Sequence, residues 1–350
     1  MASATLSVNL SALRANYQLL KNRHAKNNVS AVVKANAYGL GMERVSQALA
    51  EEGCELFFVA TLEEAIELRG YLPKAKIAVF EGIFKGEEKE FKAHSIIPVV
   101  NTVEQAERIQ DSGFGLQGSI LHVDTGMTRL GLSESDLKKL PARIPNPESR
   151  ILIMSHLACA NDPTHPKNAE QLARFKEALT YFPNVKASFA NSSAHFLPKE
   201  YHFDIGRPGC ALYGITPRES LQHVATLSAP ILQIRECDRD EEVGYGATYN
   251  APKNTRIAII GMGYADGYFR MLSNIGHAYI AGYKVPIAGR VSMDMIALDI
   301  SNVPPSAIGE NTRAEFINEK QTVNDLAIQC NTIGYEIFTR IGRRVKRVYE

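Results

Sequence analysis

The chain has 350 residues, of which 45% are hydrophobic, and this length is more than one ordinary domain needs. The formal net charge of +1 gives no reason to expect a nucleic-acid partner or binding to an anionic membrane. The five cysteines form no C-x-x-C pair, no metal-ligand spacing is present, and no apolar run is long enough to cross a bilayer. The N-terminus lacks a basic region followed by an apolar stretch, so we expect no signal peptide. From the cysteine pattern we expect reduced thiols in a cytoplasmic protein.

Helix and strand patterns alternate over about the first 215 residues. Leu10, Leu13, Tyr17 and Leu20 recur at helical spacing, and Asn9 before them is the predicted N-cap. Apolar runs that predict strands follow at 29–33, 56–60, 77–80, 96–100, 120–123, 151–155, 185–190 and 203–205. Helical patterns lie between most of them, for example at 42–52, 61–72, 102–111 and 167–182. Eight strands interleaved with helices favour a closed (β/α)8 barrel of the TIM type. A doubly wound open sheet is the alternative, although no G-x-G-x-x-G follows the first strand.

The pattern changes after Gly214. Strand-like runs then occur at 231–234, 257–260, 278–280 and 296–300, and helical patterns return only late, at 322–330 and 335–339. We therefore predict an α/β fold class in which a barrel over residues 9–215 is followed by a mostly β C-terminal domain over residues 216–350.

Lys34 lies in the most informative segment of the chain, residues 31–41. It ends the first predicted strand, and Tyr38, Gly39 and Gly41 follow it in a turn. An ammonium group is rarely buried without a partner, so a lysine at the end of a buried strand is unusual. The arrangement suits a Schiff base to a phosphate-bearing aldehyde cofactor, and a strand-end lysine that reaches solvent is the alternative.

Other polar residues also follow the ends of predicted barrel strands. Arg129 comes just after the fifth strand, His156 and Ser192 end the sixth and seventh, and Arg207 comes just after the eighth. In a barrel of this type, functional groups gather at the carboxyl ends of the strands. These side chains are therefore expected to converge with Lys34 at one mouth.

The segment around Lys34 also resembles the pyridoxal 5′-phosphate (PLP) lysine motif of the alanine racemase family. Blocks that resemble the family's other motifs follow in the same order, at 123–131, 155–156, 191–192, 206–210, 213–214, 245–249, 263–267 and 289–294. The match runs from about Leu6 to Arg347. The resemblance implies a PLP-dependent homodimer that interconverts L-alanine and D-alanine and supplies D-alanine for peptidoglycan. It also implies that residues 1–8 join the β domain, which contributes to the partner subunit's active site.

Lys34 and Tyr245 are the catalytic residues that the resemblance implies. Racemisation needs an acid–base group on each face of a planar carbanion. Lys34 would bind the cofactor covalently and then act on one face of the substrate α-carbon, while Tyr245 of the partner subunit would act on the other. Nearby cations would lower the pKa of the tyrosine from its reference value of about 10.

Arg207 is the residue that discriminates best between reaction types. The resemblance places it at the pyridine nitrogen of the cofactor, where an arginine keeps the ring neutral because it cannot accept a proton. A neutral ring limits a long-lived carbanion and side reactions such as transamination. His156 would join Arg207 and Tyr245 in a chain of hydrogen bonds. The alternatives are a structural arginine at the barrel rim and a satisfied core histidine.

The resemblance assigns the remaining contacts to small donors. Tyr38, the Ser192 hydroxyl and the backbone N–H groups of Gly209 and Cys210 would bind the cofactor phosphate. Arg129 and the backbone N–H of Met293 would bind the substrate carboxylate. The residues that would line the entrance from the partner subunit are Tyr264, Arg270 and Arg290.

The chain departs from the family pattern at two positions. His122 stands where the family often carries a lysine carbamate that helps to position the arginine equivalent to Arg129. A bound chloride, or a neutral imidazole that accepts from Arg129, could replace that anion. Arg343 stands where the family often has a phosphate-contacting tyrosine.

Three other functions remain open at this point. A racemase of serine or of broad specificity would differ only in pocket size, which the sequence hardly shows. A non-catalytic PLP carrier would be a single domain, whereas this chain has a predicted β domain that carries Tyr245. A PLP decarboxylase would have a carboxylate where Arg207 stands.

Overall fold

A computed structural model describes residues 3–113, 118–140, 152–215 and 220–350. The chain divides into two compact units. The barrel unit comprises Leu13–Ala37 and Met42–Leu221, and the β unit comprises Met1–Ala12, Tyr38–Gly41 and Gln222–Glu350. Two sequence-based expectations lie partly outside the described residues, namely the start of the sixth strand at residue 151 and the domain boundary at residue 216.

The elements have the following bounds. The strands are β1 (Thr5–Val8), β2 (Ala31–Val32), β3 (Leu56–Val59), β4 (Lys76–Val79), β5 (Ile96–Val100), β6 (Ile120–His122), β7 (Leu152–Met154), β8 (Lys186–Ser188), β9 (Ala225–Glu236), β10 (Glu241–Val243), β11 (Tyr249–Ala251), β12 (Arg256–Ile260), β13 (His277–Ile280), β14 (Tyr283–Pro286), β15 (Ile296–Asp299), β16 (Arg313–Ile317) and β17 (Lys346–Tyr349). The helices are α1 (Leu10–Arg23), α2 (Met42–Glu51), α3 (Leu62–Tyr71), α4 (Glu88–Ala93), α5 (Val103–Asp111), α6 (Glu134–Leu137), α7 (Pro166–Thr180), α8 (Val323–Gln329) and α9 (Gly334–Arg340).

The barrel unit is built on a parallel sheet in the order β2-β3-β4-β5-β6-β7-β8, so each strand pairs with the next along the chain. Their residues are almost all buried, as expected for parallel strands covered by helices. The second strand of each pair is reached through a crossover segment, as parallel pairing requires. The expected fold class is confirmed.

The eighth predicted strand, at 203–205, does not form a regular strand. The segment instead makes single bridges, including Ser188 with Phe203 on the β8 side and Val29 with Gly206 on the β2 side. Gly206 also exchanges backbone hydrogen bonds with this side, since its N–H donates to Asn28 and its carbonyl accepts from Ser30. Phe203 has φ of +53°, which interrupts an extended ladder. Irregular pairing therefore connects the two edges of the parallel sheet.

Capping residues explain where several helices begin. The Oδ1 atom of Asn9 accepts from the N–H of Ala12 at 2.8 Å, which confirms the predicted N-cap of α1. Thr61 and Thr102 were expected to be the first helical residues, but each is an N-cap whose hydroxyl accepts a backbone N–H three residues later. None of the described helices is long and apolar enough to span a membrane.

The β unit is built around a mainly antiparallel sheet in the order β14-β13-β16-β9-β1-β17, and β12 pairs with both β9 and β15. β1 lies between β9 and β17, so the N-terminal strand is part of this sheet. The pattern at 231–234 marked only part of the 12-residue β9. The sequence pattern missed the other residues of β9 because this strand pairs with β1, β12 and β16. Its residues are mostly buried at the beginning and exposed at the end, so no single periodicity marks the whole strand.

Candidate active site

Lys34 follows β2 directly and begins a left-handed turn of the backbone. Ala35, Asn36, Ala37 and Tyr38 have φ between +52° and +56°. Each non-glycine residue in this conformation costs roughly 1–2 kcal/mol. Strain of this kind persists only where the surroundings hold it, and it is concentrated at functional sites.

Two side chains hold the beginning of this turn in place. Glu64 Oε1 accepts from the N–H of Ala35 at 2.6 Å, and Asn36 Oδ1 accepts from the N–H of Met42 at 2.7 Å. The N–H of Ala37 donates to the Val33 carbonyl at 2.8 Å. The segment after the lysine is therefore fixed by specific hydrogen bonds rather than by regular secondary structure.

The amine of Lys34 is partly buried and lies over an aromatic ring. Its Nζ is 5.7 Å from the centroid of the Phe80 ring, which stacks on Phe58. Among the described residues the amine has no hydrogen-bond partner. Burial lowers the pKa of Lys34, and the positive charge of Arg129 adds to this effect. Such an amine is suited to attack an aldehyde, because a larger fraction of it is neutral.

Arg207 is 3% exposed, and neutral oxygen atoms hold it in place. Its Nη1 donates to the carbonyl and hydroxyl oxygens of Ser188 at 2.8 and 2.6 Å, and its Nη2 donates to the Ser155 carbonyl at 2.5 Å. Burial lowers the pKa of Arg207 to about 10, so the group remains a cation at neutral pH. Nε has no partner among the described residues and can therefore donate to a ring nitrogen.

His156 follows β7 and is largely buried. Burial, followed by the positive charges of Arg207 and Arg129, keeps the pKa of His156 well below its usual range. The expected hydrogen bond between His156 and Arg207 is not formed. Both Nη groups of Arg207 donate to serine oxygens instead, and the His156 ring has no hydrogen-bond partner among the described residues.

Ser192 organises the segment that was expected to bind phosphate. Its hydroxyl oxygen accepts from the N–H groups of Gly209 and Ala211, at 2.8 and 3.2 Å. The Gly209 N–H, one of the predicted phosphate donors, is therefore already used within the protein. Because the Ser192 oxygen accepts two bonds, its own hydrogen remains to donate outward. Cys210 begins the short 3₁₀ turn Cys210–Tyr213 that follows Gly209.

Arg129 is exposed and lies at the end of a tightly shaped loop. Asp124 Oδ1 accepts from the N–H groups of Gly126, Met127 and Thr128 at 2.8, 2.9 and 3.1 Å. Although burial acts to raise the pKa of Asp124, these hydrogen bonds lower it overall. The Asp124 carboxylate thus holds the backbone of the three residues that precede Arg129.

His122 is buried at the end of β6, and its tautomer is fixed. Its Nδ1 is 2.8 Å from Asn101 Oδ1. The Nδ2 of Asn101 donates to the carbonyls of Phe80 and Val99, so Oδ1 is the acceptor and the histidine carries its hydrogen on Nδ1. Burial and the charges of Arg207 and Arg129 lower the pKa of His122 to about 3. The imidazole is therefore neutral, and no described contact joins it to Arg129.

Tyr38, Tyr245 and Met293 belong to the β unit. Tyr245 is 72% exposed in the loop between β10 and β11, and its phenol has no partner among the described residues. Met293 is 52% exposed, and its carbonyl accepts from the N–H of Ala265 at 3.0 Å. The Tyr38 ring meets the edge of the Tyr335 ring at a centroid distance of 6.3 Å.

Of the neighbours Arg343 and Arg344, only Arg344 makes side-chain contacts with the described residues. Arg343 is exposed and forms no hydrogen bond or ion pair with the described residues. Arg344 bonds to Asp266 at 3.1 Å and to Asp294 at 2.7 Å. These bonds connect the Tyr264–Asp266 turn to the loop that carries Met293.

Several residues around the site were missed from the sequence. Phe80, Asn101, Asp124 and Gln171 all contact or position predicted site residues. A signal was present for Gln171, because it takes an inward position in the apolar stripe of α7. A signal was also present for Asp124, since an aspartate two residues before a glycine is typical of a turn. Phe80 and Asn101 lack such a signal, because their contacts join segments that are far apart in sequence.

The residues present in the barrel unit fit a phosphate-bearing aldehyde. Lys34 offers an amine with a lowered pKa, Arg207 an Nε without a partner among the described residues, and Ser192 a hydroxyl hydrogen that is left to donate. Arg129 adds an exposed cation that can meet a carboxylate. The set of donors therefore matches an anionic ligand with a reactive carbonyl group.

Family models match nearly the whole chain. The model described as "Alanine racemase, N-terminal domain" covers residues 8–217, and "Alanine racemase, C-terminal domain" covers residues 224–349.

Individual relatives match over the same length. The chain is 42% identical to the alanine racemase of Rickettsia canadensis (strain McKiel), with 100% of this chain and 99% of the relative covered. It is 42% identical to that of Brucella suis biovar 1, covering 99% and 94%. The crystal structure of alanine racemase from Bartonella henselae with covalently bound pyridoxal phosphate superposes with a TM-score of 0.92 at 38% identity, covering 100% of both chains. The biosynthetic alanine racemase from Pseudomonas aeruginosa gives 0.90 at 36% identity with the same coverage.

Proposed function

The chain belongs to the alanine racemase family, and from this membership we propose that it is an isomerase that interconverts L-alanine and D-alanine. Identity of about 40% extends over the full length of relatives that carry this name. The observation that carries the proposal is the Lys34 amine. It follows a barrel strand in a strained turn and has a lowered pKa, within electrostatic range of Arg129.

Pyridoxal 5′-phosphate is the proposed cofactor, and Lys34 is the residue that would hold it covalently. Arg207 would donate from Nε to the ring nitrogen and leave it without a proton, because a guanidinium is a donor only. Tyr38, the Ser192 hydroxyl and the backbone of Gly209 and Cys210 would surround the phosphate. When bound, the cofactor would supply an electron sink for the carbanion at the substrate α-carbon.

Lys34 and Tyr245 are the two proposed proton-transfer groups. The lysine amine would exchange the α-proton on one face, and the phenol of Tyr245 would do so on the opposite face. Tyr245 is exposed, without a partner among the described residues, and such a group is available to enter the site of a second copy. We therefore propose a homodimer in which Tyr245 and Met293 complete the site of the partner subunit.

The substrate carboxylate would be bound by Arg129 and by the backbone N–H of Met293. Asp124 shapes the loop before Arg129, and Arg344 ties the loop of Met293 to the turn beside it. Two shaped loops would thus hold the carboxylate, which orients the α-hydrogen toward the proton-transfer groups.

We also propose a cytoplasmic enzyme that supplies D-alanine for peptidoglycan. None of the five cysteines, all of which lie in the described part of the chain, forms a disulfide, and this is typical of proteins in a reducing compartment. The Pseudomonas aeruginosa relative carries the description biosynthetic. A strain that lacks this gene, and any other alanine racemase, should need added D-alanine to build its wall.

The activity is tested with purified protein saturated with pyridoxal 5′-phosphate. Racemisation is measured by polarimetry for alanine, serine and larger amino acids, and alanine should give the highest kcat/KM. Borohydride reduction should attach the cofactor to Lys34, and Lys34→Ala should lose both the label and the activity. Labelling at another lysine, or a higher kcat/KM for serine, would overturn the corresponding assignment.

A further inference from the structure

Gln171 lies completely buried on α7 and bonds to two segments at the carboxyl ends of barrel strands. Its Nε2 donates to the Thr125 hydroxyl at 3.1 Å and to the His156 carbonyl at 2.9 Å, while its Oε1 accepts from the N–H of Ala158 at 2.9 Å. Both amide hydrogens are therefore used. A single side chain holds the loop after β6 and the segment that carries His156.

The contacts continue from Thr125 to Arg207. The hydroxyl oxygens of Thr125 and Ser155 are 2.8 Å apart, and the Ser155 carbonyl accepts from Arg207 Nη2. On the other side, Nη1 donates to Ser188, whose hydroxyl donates to the Ile205 carbonyl at 2.6 Å. A buried chain of hydrogen bonds thus runs from Gln171 to the guanidinium.

This chain of contacts determines where the guanidinium lies, because no carboxylate among the described residues pairs with Arg207. Neutral acceptors bind more weakly than a carboxylate and depend more on geometry. If one member is removed, the buried groups that remain must find new partners or stay unsatisfied. A shift of the Thr125 or Ser155 backbone would therefore be passed on to Arg207.

We propose that Gln171 is a positioning residue that sets the places of His156 and Arg207 relative to the cofactor ring. This assignment rests on the proposed function, since it takes Arg207 as the donor to the ring nitrogen. Gln171 is not a catalytic residue. It acts through the His156 carbonyl on one side and through Thr125 and Ser155 on the other.

The test compares Gln171→Met with a control on the same helix. Methionine keeps the length and volume of glutamine but makes no strong hydrogen bond. Asn168 lies three residues earlier on α7, is 2% exposed, and donates to the carbonyls of Cys159 and Asp162. Asn168→Leu therefore removes similar buried bonds from the same helix without touching the contacts that lead to Arg207.

We expect Gln171→Met to lower kcat about 10- to 100-fold, since misplacement of a site by about 1 Å can cost this much. It should also weaken binding of pyridoxal 5′-phosphate to the apoprotein and change the pH profile of kcat. Asn168→Leu should lower Tm by a similar amount yet leave kcat and cofactor affinity within about twofold of the wild type. A merely structural role would lower Tm alike in both variants and leave the other quantities unchanged.

Crystal structures of the cofactor-free variants separate this proposal from the proposed function. In Gln171→Met, the His156 carbonyl and the contact between Arg207 and Ser155 should move, whereas Asn168→Leu should leave both in place. Unmoved groups, or equal kinetics in the two variants, would overturn the positioning role. Failure of the wild type to bind the cofactor or to racemise alanine would count against the proposed function instead. Gln171→Glu keeps the side-chain size but loses both donors, so it provides the same comparison if the methionine variant does not fold.

Discussion

Arg207 is an isolated buried cation whose contacts are all to neutral oxygen atoms of the described residues. Its pKa of about 10 is depressed by burial but remains above neutral pH. Because the group is a donor only, a base that faces its Nε keeps its lone pair and receives no proton from it. If Arg207 faces the ring nitrogen as proposed, it favours proton exchange at the α-carbon over reactions that need a stronger electron sink.

Replacing Arg207 by glutamate should change the outcome of the reaction. A carboxylate favours the protonated form of a neighbouring ring nitrogen, which strengthens the electron sink. We expect racemisation to slow by about tenfold or more, while transamination and long-wavelength absorption during turnover increase. The ratio of pyruvate formed to alanine racemised measures the effect. An unchanged ratio in a correctly folded variant would mean that Arg207 does not face the ring nitrogen.

His122 makes its side-chain contact with Asn101 and not with Arg129 in the described part of the chain. Arg129 is exposed within this chain, so its guanidinium needs no charged partner to offset a cost of burial. The imidazole is neutral and is oriented by Asn101. We infer that added bicarbonate should not affect activity, since an imidazole forms no stable carbamate.

The loop between β6 and α6 depends on one carboxylate at its beginning. Gly126 and Gly131 in this loop have φ of +122° and +119°, and a Cβ at position 131 would lie 2.6 Å from the Asp124 backbone nitrogen. The loop is thus a compact turn in which the N–H groups of Gly126, Met127 and Thr128 converge on Asp124. These bonds fix the backbone of the three residues that precede Arg129.

Asp124→Ala should therefore affect substrate binding more than cofactor binding. The variant loses three backbone hydrogen bonds, so Arg129 samples more positions and the carboxylate contact costs more entropy. We expect KM for alanine to rise about tenfold and the dissociation constant of pyridoxal 5′-phosphate to change less than threefold. Steady-state kinetics and cofactor titration measure both quantities. Asp136→Ala, which removes the Asp136 side-chain bonds of the α6 capping box and an ion pair with Lys139, serves as the control.

Three buried histidines connect the end of α1 to the segment between β8 and Arg207. The rings of His24, His195 and His202 have centroid distances of 5.1 to 6.0 Å, and each ring is 1% exposed. His195 also lies against Gly206, since a Cβ there would be 2.3 Å from its Nε2. The cluster therefore supports the irregular segment that closes the barrel sheet.

This cluster should make the barrel sensitive to acid. Burial lowers the pKa of His24 to about 4 and that of His195 to about 3, whereas the ordinary value is 6.5. The unfolded state therefore binds more protons below pH 6.5, and stability falls as the pH drops from 6.5 toward the folded values. Each histidine should cost roughly 1 kcal/mol per pH unit in that window. Urea unfolding at pH 5 and pH 7 measures the loss.

A matched pair of variants identifies the source of that acid sensitivity. His195→Gln should flatten the dependence of unfolding free energy on pH, because it removes one buried titrating ring. His94→Gln removes a half-exposed ring on the same unit and should leave the dependence close to that of the wild type. If both variants retain the wild-type slope, the sensitivity to acid arises elsewhere.

At the scale of the whole molecule, the predicted site residues are divided between two units. The barrel unit contains Lys34 and the buried Arg207, and the β unit contains Tyr245 and Met293. If, as proposed, the two units that complete one site belong to different subunits, the site needs a defined pairing of subunits, and closed dimers with two equivalent sites are the commonest arrangement.

Mixed dimers of Lys34→Ala and Tyr245→Phe subunits test that assembly. If the two residues meet across an interface, each mixed dimer contains one site with both lesions and one with neither. Random exchange should then restore about a quarter of the wild-type rate, because about half of the dimers are mixed and each has one intact site. Exchange is verified with two different affinity tags. No recovery after verified exchange would place both residues in the site of a single chain.

Local sequence patterns alone were sufficient to predict much of the fold and several candidate site residues. Apolar runs marked the parallel strands, because a strand buried on both faces must be apolar along its length. The hydrogen bond from the N–H of Ala12 to Asn9 follows from a short-range preference at helix starts. The candidate site residues were also recognisable, because a barrel gathers its functional groups at strand ends. Lys34, Arg129 and His156 follow such ends, and Arg207 follows the irregular segment at 203–205.

Tertiary structure alone decided how those residues are held. The sequence does not show that the Gly209 N–H turns toward Ser192 or that Arg207 donates to serine oxygens and not to His156. Nor does it show that Gln171 bonds to the His156 carbonyl and to Thr125. The same is true of the irregular closure at 203–205 and of the place of β1 beside β9 and β17. Each of these contacts joins groups that are far apart in the chain. Which donor meets which acceptor therefore depends on packing, because a local pattern specifies only the conformation of its own segment.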